Sequence, residues 1–203
     1  DGKLIASNTA GVCVYLSYDD SIAGLSKRIA EYKGPGKTKL IFDRGQLSFN
    51  SRRFSSALAD FKAVAAAADK DGATAVQAQV AHWLYRTHVA MGNAADNADD
   101  MRKHFELARE SASTLTGDSK DQYILRCMMR LARVMELRAV EHQAAAAEKL
   151  SAGDKPAAAA LEAKRLAVLT EAVKFARKIA ETYPQHRVPD ITIGAQADNN
   201  VRD

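Results

Sequence analysis

Large aromatic rings are scarce in this chain: one tryptophan, six tyrosines and six phenylalanines make 6% of 203 residues. Alanine stands in runs instead, at 65–68, 144–147 and 157–160. It is the strongest helix former and loses no side-chain entropy on ordering, so the composition points to an all-α protein. Cysteine is nearly absent. Two residues, Cys13 and Cys127, exclude a disulfide framework and a metal knuckle. Cys127 lies on an apolar helical stripe and reads as a small core residue, while a Cys13–Cys127 disulfide is the alternative left open. No apolar run approaches the ~20 residues that span a bilayer, which excludes a membrane-spanning helix. Charge of one sign is also lacking. The formal excess is +4, with basic and acidic residues interspersed, and the clustered basic face of a nucleic-acid binder is missing.

What is present suits a soluble domain. A hydrophobic share of 47% beside 27% charged residues is ordinary for a folded protein, and the length suits one domain with a real core. The chain starts at Asp1 without methionine, which leans toward an exported (periplasmic or cell-envelope) or organellar protein whose targeting segment was removed.

Along the chain, residues 1–19 lack helical periodicity. Val12, Val14 and Leu16 alternate with Cys13, Tyr15 and Ser17, a strand pattern over Gly11–Tyr18 without a convincing second strand. The segment is expected to be an extended arm that packs on the helices or pairs with another molecule. A helical domain follows over 20–184. Its first helix is expected over Ser21–Tyr32, capped by Asp19 or Asp20, and the next two over Leu40–Phe49 and Phe54–Val64. A fourth, about Ala73–Met91, should end at Gly92-Asn93 as a left-handed terminator. A fifth starts after Asn97 and closes near Thr116-Gly117. The sixth starts at Ser119 and reaches about Leu150, with Ile124, Cys127, Met128, Leu131, Val134, Met135 and Leu137 on one side. The seventh runs from Pro156 to Tyr183, with Leu166, Leu169, Val173, Ala176, Ile179 and Tyr183 as its stripe. These last two form a long C-terminal hairpin. Residues 185–203 read as an extended or disordered tail.

The second and third helices are the most informative stretch. The polar turn Asn50-Ser51-Arg52-Arg53 joins them. Small residues, Gly45 and Ala57, sit where they must approach closely, and Phe49, Phe54 and Phe61 sit where they interlock. This hairpin, Ile41 to Val64, resembles a tetratricopeptide repeat. A poorer match runs from Ala81 to Ala108 through Trp83, Leu84, Tyr85, Gly92, Phe105 and Ala108, with Ala94–Asp100 inserted and Tyr85 and Met101 in place of small residues. A third hint, Glu171–Val173 leading to Tyr183-Pro184, lies in helices far longer than the family's. The resemblance covers about half the chain and departs from the family's regular period. It implies antiparallel helical hairpins stacked as an array, whose first helices line a groove for a peptide or partner helix. Lys39, Phe42, Asp43, Gln46 and Asn50 would then face the groove from one hairpin, and Gln79, His82, Trp83, Arg86 and Val89 from the next. Packing against a neighbouring hairpin is the other reading of Phe42 and Trp83. The set lacks the lysine, asparagine and arginine constellation by which some relatives clamp a C-terminal carboxylate.

Chemistry is not legible. Gly34-Pro35-Gly36-Lys37-Thr38 is similar to a phosphate loop, but Glu31 stands where the first glycine is needed and a helix precedes it instead of a strand. His82, His88, His104, His142 and His186 include no pair three or four apart that would share a helix face. Asp96, Asp99 and Asp100 lack a calcium-loop pattern. No catalytic, cofactor or metal site is expected. The function that fits is a scaffold or complex subunit that binds another protein through a helical groove, with homo-oligomerisation through the long hairpin open. The rival classes are a helical enzyme with a dispersed site and a nucleic-acid binder using Arg126, Arg130, Arg133 and Arg138.

Overall fold

A computed structural model describes residues 4–8, 11–15, 17–34, 36–67, 74–117 and 119–184; the expected tail, 185–203, lies outside them. Two strands come first, β1 (Leu4–Asn8) and β2 (Gly11–Tyr15). They pair antiparallel, with Leu4 opposite Tyr15 and Asn8 opposite Gly11. This corrects the expectation of a strand with no partner in the chain. Leu4-Ile5-Ala6-Ser7-Asn8 has too few strand formers to announce itself, yet it supplies the ladder that Gly11–Tyr15 needs.

The rest is all-α: α1 (Tyr18–Glu31), α2 (Lys37–Asn50), α3 (Phe54–Ala67), α4 (Thr74–Asn93), α5 (Ala98–Ser113), α6 (Ser119–Ser151) and α7 (Lys155–Thr182). Ser17 caps α1, not Asp19 or Asp20. Its hydroxyl accepts from the Asp20 amide at 3.1 Å and donates to the Asp20 carboxylate at 2.9 Å, while the two aspartates stay in the first turn where the dipole favours them. Asn97 caps α5 by accepting from the Asp100 amide at 2.8 Å.

Two hairpin turns use the same device. After α6, the amide of Asp154 donates to the Lys149 carbonyl at 2.9 Å and that of Gly153 to the Leu150 carbonyl at 3.0 Å, with Gly153 at φ +83°. This is a Schellman closure, and Asp154 then caps α7 through the Ala157 amide. After α2, the amide of Arg53 donates to the Ser48 carbonyl at 2.8 Å and that of Arg52 to the Phe49 carbonyl at 2.9 Å. Here the left-handed residue is Arg52, at φ +60°, a conformation that costs an L-residue about 1 kcal/mol or more.

Each helix packs on the next in sequence, and α2 also touches α4. Glycine permits two of the closest approaches. A Cβ on Gly45 would lie 2.8 Å from the Phe61 ring, and one on Gly92 would lie 2.6 Å from the Phe105 ring. Gly45 and Ala57 therefore face the interior between α2 and α3. Gly92 is a correction: it is a buried residue within α4 against α5, not a left-handed terminator. Ser26, Arg44 and Asp60 tie α1, α2 and α3 together, with Arg44 donating to both Asp60 oxygens (2.6 and 2.9 Å) and to the Ser26 hydroxyl (3.1 Å).

Helices α6 and α7 run antiparallel, since Leu125 and Met128 near the start of α6 pack with Ile179 near the end of α7. Buried residues at intervals of seven mark the seam on α6, at Leu125, Ala132, Ala139 and Ala146, and on α7 Ala158, Ala172 and Ile179 fit the same period with half-buried Arg165 at the intervening position. That is a coiled-coil seam, in which alanine allows close approach. It takes one residue from each of two alanine runs, Ala146 and Ala158, and it corrects the stripe expected on α7. A narrow seam buries Ala172 and Ile179, whereas Leu166 is 53% and Val173 39% exposed.

Candidate functional site

On α2, Lys39, Asp43, Gln46 and Asn50 recur at helical spacing, with Lys39 and Asn50 exposed and Asp43 and Gln46 half-buried. The Lys39 ammonium pairs with Asp43 at 3.0 Å, an exposed i,i+4 pair that stabilises by a few tenths of a kcal/mol. The opposite side of α2 is buried through Thr38, Phe42, Gly45 and Ser48. Phe42 is only 5% exposed, so it is core, as the packing alternative has it.

On α4, Gln79 and Arg86 are exposed, while His82, Trp83 and Val89 are half-buried. Trp83 joins α4 to the first hairpin. Its ring lies 5.5 Å from Phe61, 6.4 Å from Phe42 and 5.4 Å from Phe49. Trp83 is thus packed against a neighbouring hairpin while keeping part of its surface. Val89 turns toward Tyr85, Ala108, Ala112 and Cys127. The guanidinium of Arg86 sits 4.4 Å from the Trp83 ring centre and 5.0 Å from that of Phe49, cation–π contacts worth about 0.5–2 kcal/mol.

Beyond α4 the contact passes to α6. Tyr123 lies 5.4 Å from His82 and 4.7 Å from Tyr85. Burial, then the Arg86 charge, push the His82 imidazole below its ordinary range. Arg86 on α4 and Arg126 on α6 are both exposed. The residues 42 and 83 that join α2 to α4 stand forty positions before 82 and 123, which join α4 to α6. Sequence reasoning missed Tyr123 and Arg126 at this surface. The signal was there as this forty-residue interval, since Arg126 follows Arg86 by the same distance.

Other features lead elsewhere. A depression of about 620 Å³ is lined by Lys103, Glu106, Leu107, Arg109, Glu110, Ser113 and Ile124, away from the α2–α4 contact. His88 is 3% exposed, with its Nδ1 atom 3.3 Å from that of His104. Burial and the His104 and Lys62 charges lower its pKa to about 4. Cys127 is fully buried, and burial raises its thiol to about 11, which makes it an inert core residue. Among the described residues no three metal-ligating side chains converge, and no helix is long and apolar enough to cross a membrane.

Three of the four α6 arginines considered for nucleic acid are engaged. Arg130 donates to Asn93 at 2.7 Å, Arg133 to Glu136 at 2.6 Å, and Arg138 pairs with Asp99. No family model, curated protein or solved structure matches this chain.

Proposed function

We propose that this chain is a tetratricopeptide-like scaffold that holds another protein along the face shared by α2, α4 and α6. The observation that carries this reading is the recurrence of one inter-helix contact. Phe42 meets Trp83 across α2 and α4, and forty residues on His82 meets Tyr123 across α4 and α6. Alternate helices linked in this way present one surface, and α3 and α5 fall behind it. Gly45 against Phe61 supports the resemblance at the family's small-and-large positions. Lys39, Asp43, Gln46, Asn50, Gln79, His82 and Arg86, with the open edge of Trp83, are the groups on that face a partner would meet. Binding energy would come from covering the ring edges, with the charged rim setting orientation.

Capture from the native source tests it, with the chain as bait beside the Lys39→Glu, Arg86→Glu double variant. The reading expects a discrete partner that the variant loses while its far-ultraviolet circular dichroism stays unchanged. Equal capture by both baits removes the face from the account.

A further inference from the structure

Arg86 is the only formally charged side chain on α4, whose twenty residues contain no lysine, aspartate or glutamate. Its guanidinium carbon lies against two rings set nearly at right angles, 4.4 Å from the Trp83 centre and 5.0 Å from that of Phe49. Among the described residues it meets no carboxylate and donates no hydrogen bond. Several other arginines do: Arg44 with Asp60, Arg53 with Asp19, Arg102 with Glu106, Arg133 with Glu136, Arg138 with Asp99 and Arg165 with Glu162. A guanidinium carries its N–H donors as a planar fork, and ring contacts do not occupy that fork as a carboxylate would. That fork matches both oxygens of a carboxylate. The two ring contacts also restrict the rotamer freedom that a long side chain loses on binding.

The neighbourhood has the same sign. Arg126 is exposed and forms no ion pair or hydrogen bond among the described residues, and His82 and Tyr123 bridge the space between the two arginines' helices. On α2 the one carboxylate, Asp43, is already paired with Lys39. The face therefore offers unanswered positive charge beside half-buried aromatic surface.

We infer that the partner is an acidic peptide segment, with an aspartate or glutamate side chain seated bidentately on Arg86 and an apolar neighbour on the exposed edges of Trp83 and Phe49. This rests on the proposed binding face and adds the chemistry of its occupant. A random dodecapeptide library displayed on phage, panned on the folded chain, tests it without a known partner. Selected peptides should carry Asp or Glu at one fixed position beside an apolar residue. As free labelled peptides in fluorescence anisotropy they should bind Arg86→Gln at least tenfold more weakly. Arg86→Lys should restore little, because an ammonium lacks the fork, and binding should weaken as salt is added. Trp83 fluorescence should shift on binding.

If the selected peptides carry no acid yet still shift Trp83, the face stands and the acidic occupant is wrong. If Arg86→Gln binds acidic peptides as tightly as the parent does, Arg86 is not their seat and the inference fails. Recovering no peptide that perturbs Trp83 overturns both this inference and the face on which it rests.

Discussion

Replacing Gly45 by alanine measures how closely α2 and α3 nest. A Cβ at this position would lie 2.8 Å from one Phe61 ring carbon, 3.1 Å from the next and 3.2 Å from the Asp60 Cβ. Ordinary contact begins near 3.4 Å, so the facing surfaces must part by about 0.6 Å. Phe61 cannot swing aside, because it is fully buried against Phe42 and Trp83. A gap of that size forfeits roughly a quarter to a half of the dispersion contact across it. For a buried phenylalanine, whose truncation costs about 3–5 kcal/mol, the loss is about 1–2 kcal/mol. Alanine returns about 0.5–1 kcal/mol of helix propensity, leaving Gly45→Ala destabilising by about 1 kcal/mol. Gly24→Ala is the control. Its Cβ would meet nothing within 4 Å, so it should stabilise by about 0.5–1 kcal/mol. Urea titration followed by Trp83 fluorescence reads the right place, since the single tryptophan packs on Phe61 itself. Equal stabilisation by both substitutions would refute the close approach of α2 and α3.

Arg52→Gly relieves the left-handed turn and should raise stability by about 1 kcal/mol in the same titration. Asp60→Ala leaves the half-buried Arg44 guanidinium without its two carboxylate bonds and should cost about 2–3 kcal/mol, because solvent reaches part of Arg44. Buried His88, with a folded pKa of about 4 against an ordinary 6.5, gives a pH signature. Between those values the unfolded chain holds a proton that the folded chain refuses. Its contribution is therefore complete above pH 6.5, declines as pH falls, and levels off below about 4 after a loss of about 3 kcal/mol. Subtracting the profile of His88→Gln isolates that slope.

The helices were legible because caps, breakers and alanine runs act locally. Asn97 stands before α5 as expected, and α6 begins at Ser119; the cap that Asp154 gives α7 was not read from the sequence. The Gly45–Phe61 contact was legible too, since small and large residues at helical spacing have few other arrangements. Features set by distant packing were not. Whether Leu166 or Ala172 faces α6 depends on how narrow the seam is, and periodicity alone does not fix that. Gly92 looked like a terminator because its role depends on Phe105, which lies on the next helix. The resemblance implied surface positions for Gln79 and Arg86, and both are exposed, but the contact of Arg86 with Trp83 and Phe49 and the arrival of Tyr123 beside His82 needed the assembled fold.

Whether a partner lies along α2 and α4 is read by site-specific photo-crosslinking. Benzoylphenylalanine placed at Asn50 or Gln79, on that face, and at Lys62 or Glu110, exposed on α3 and α5, would be irradiated in the native source. A partner on that face gives one crosslinked band from positions 50 and 79 and none from 62 and 110. Crosslinks confined to 62 and 110 would contradict that placement.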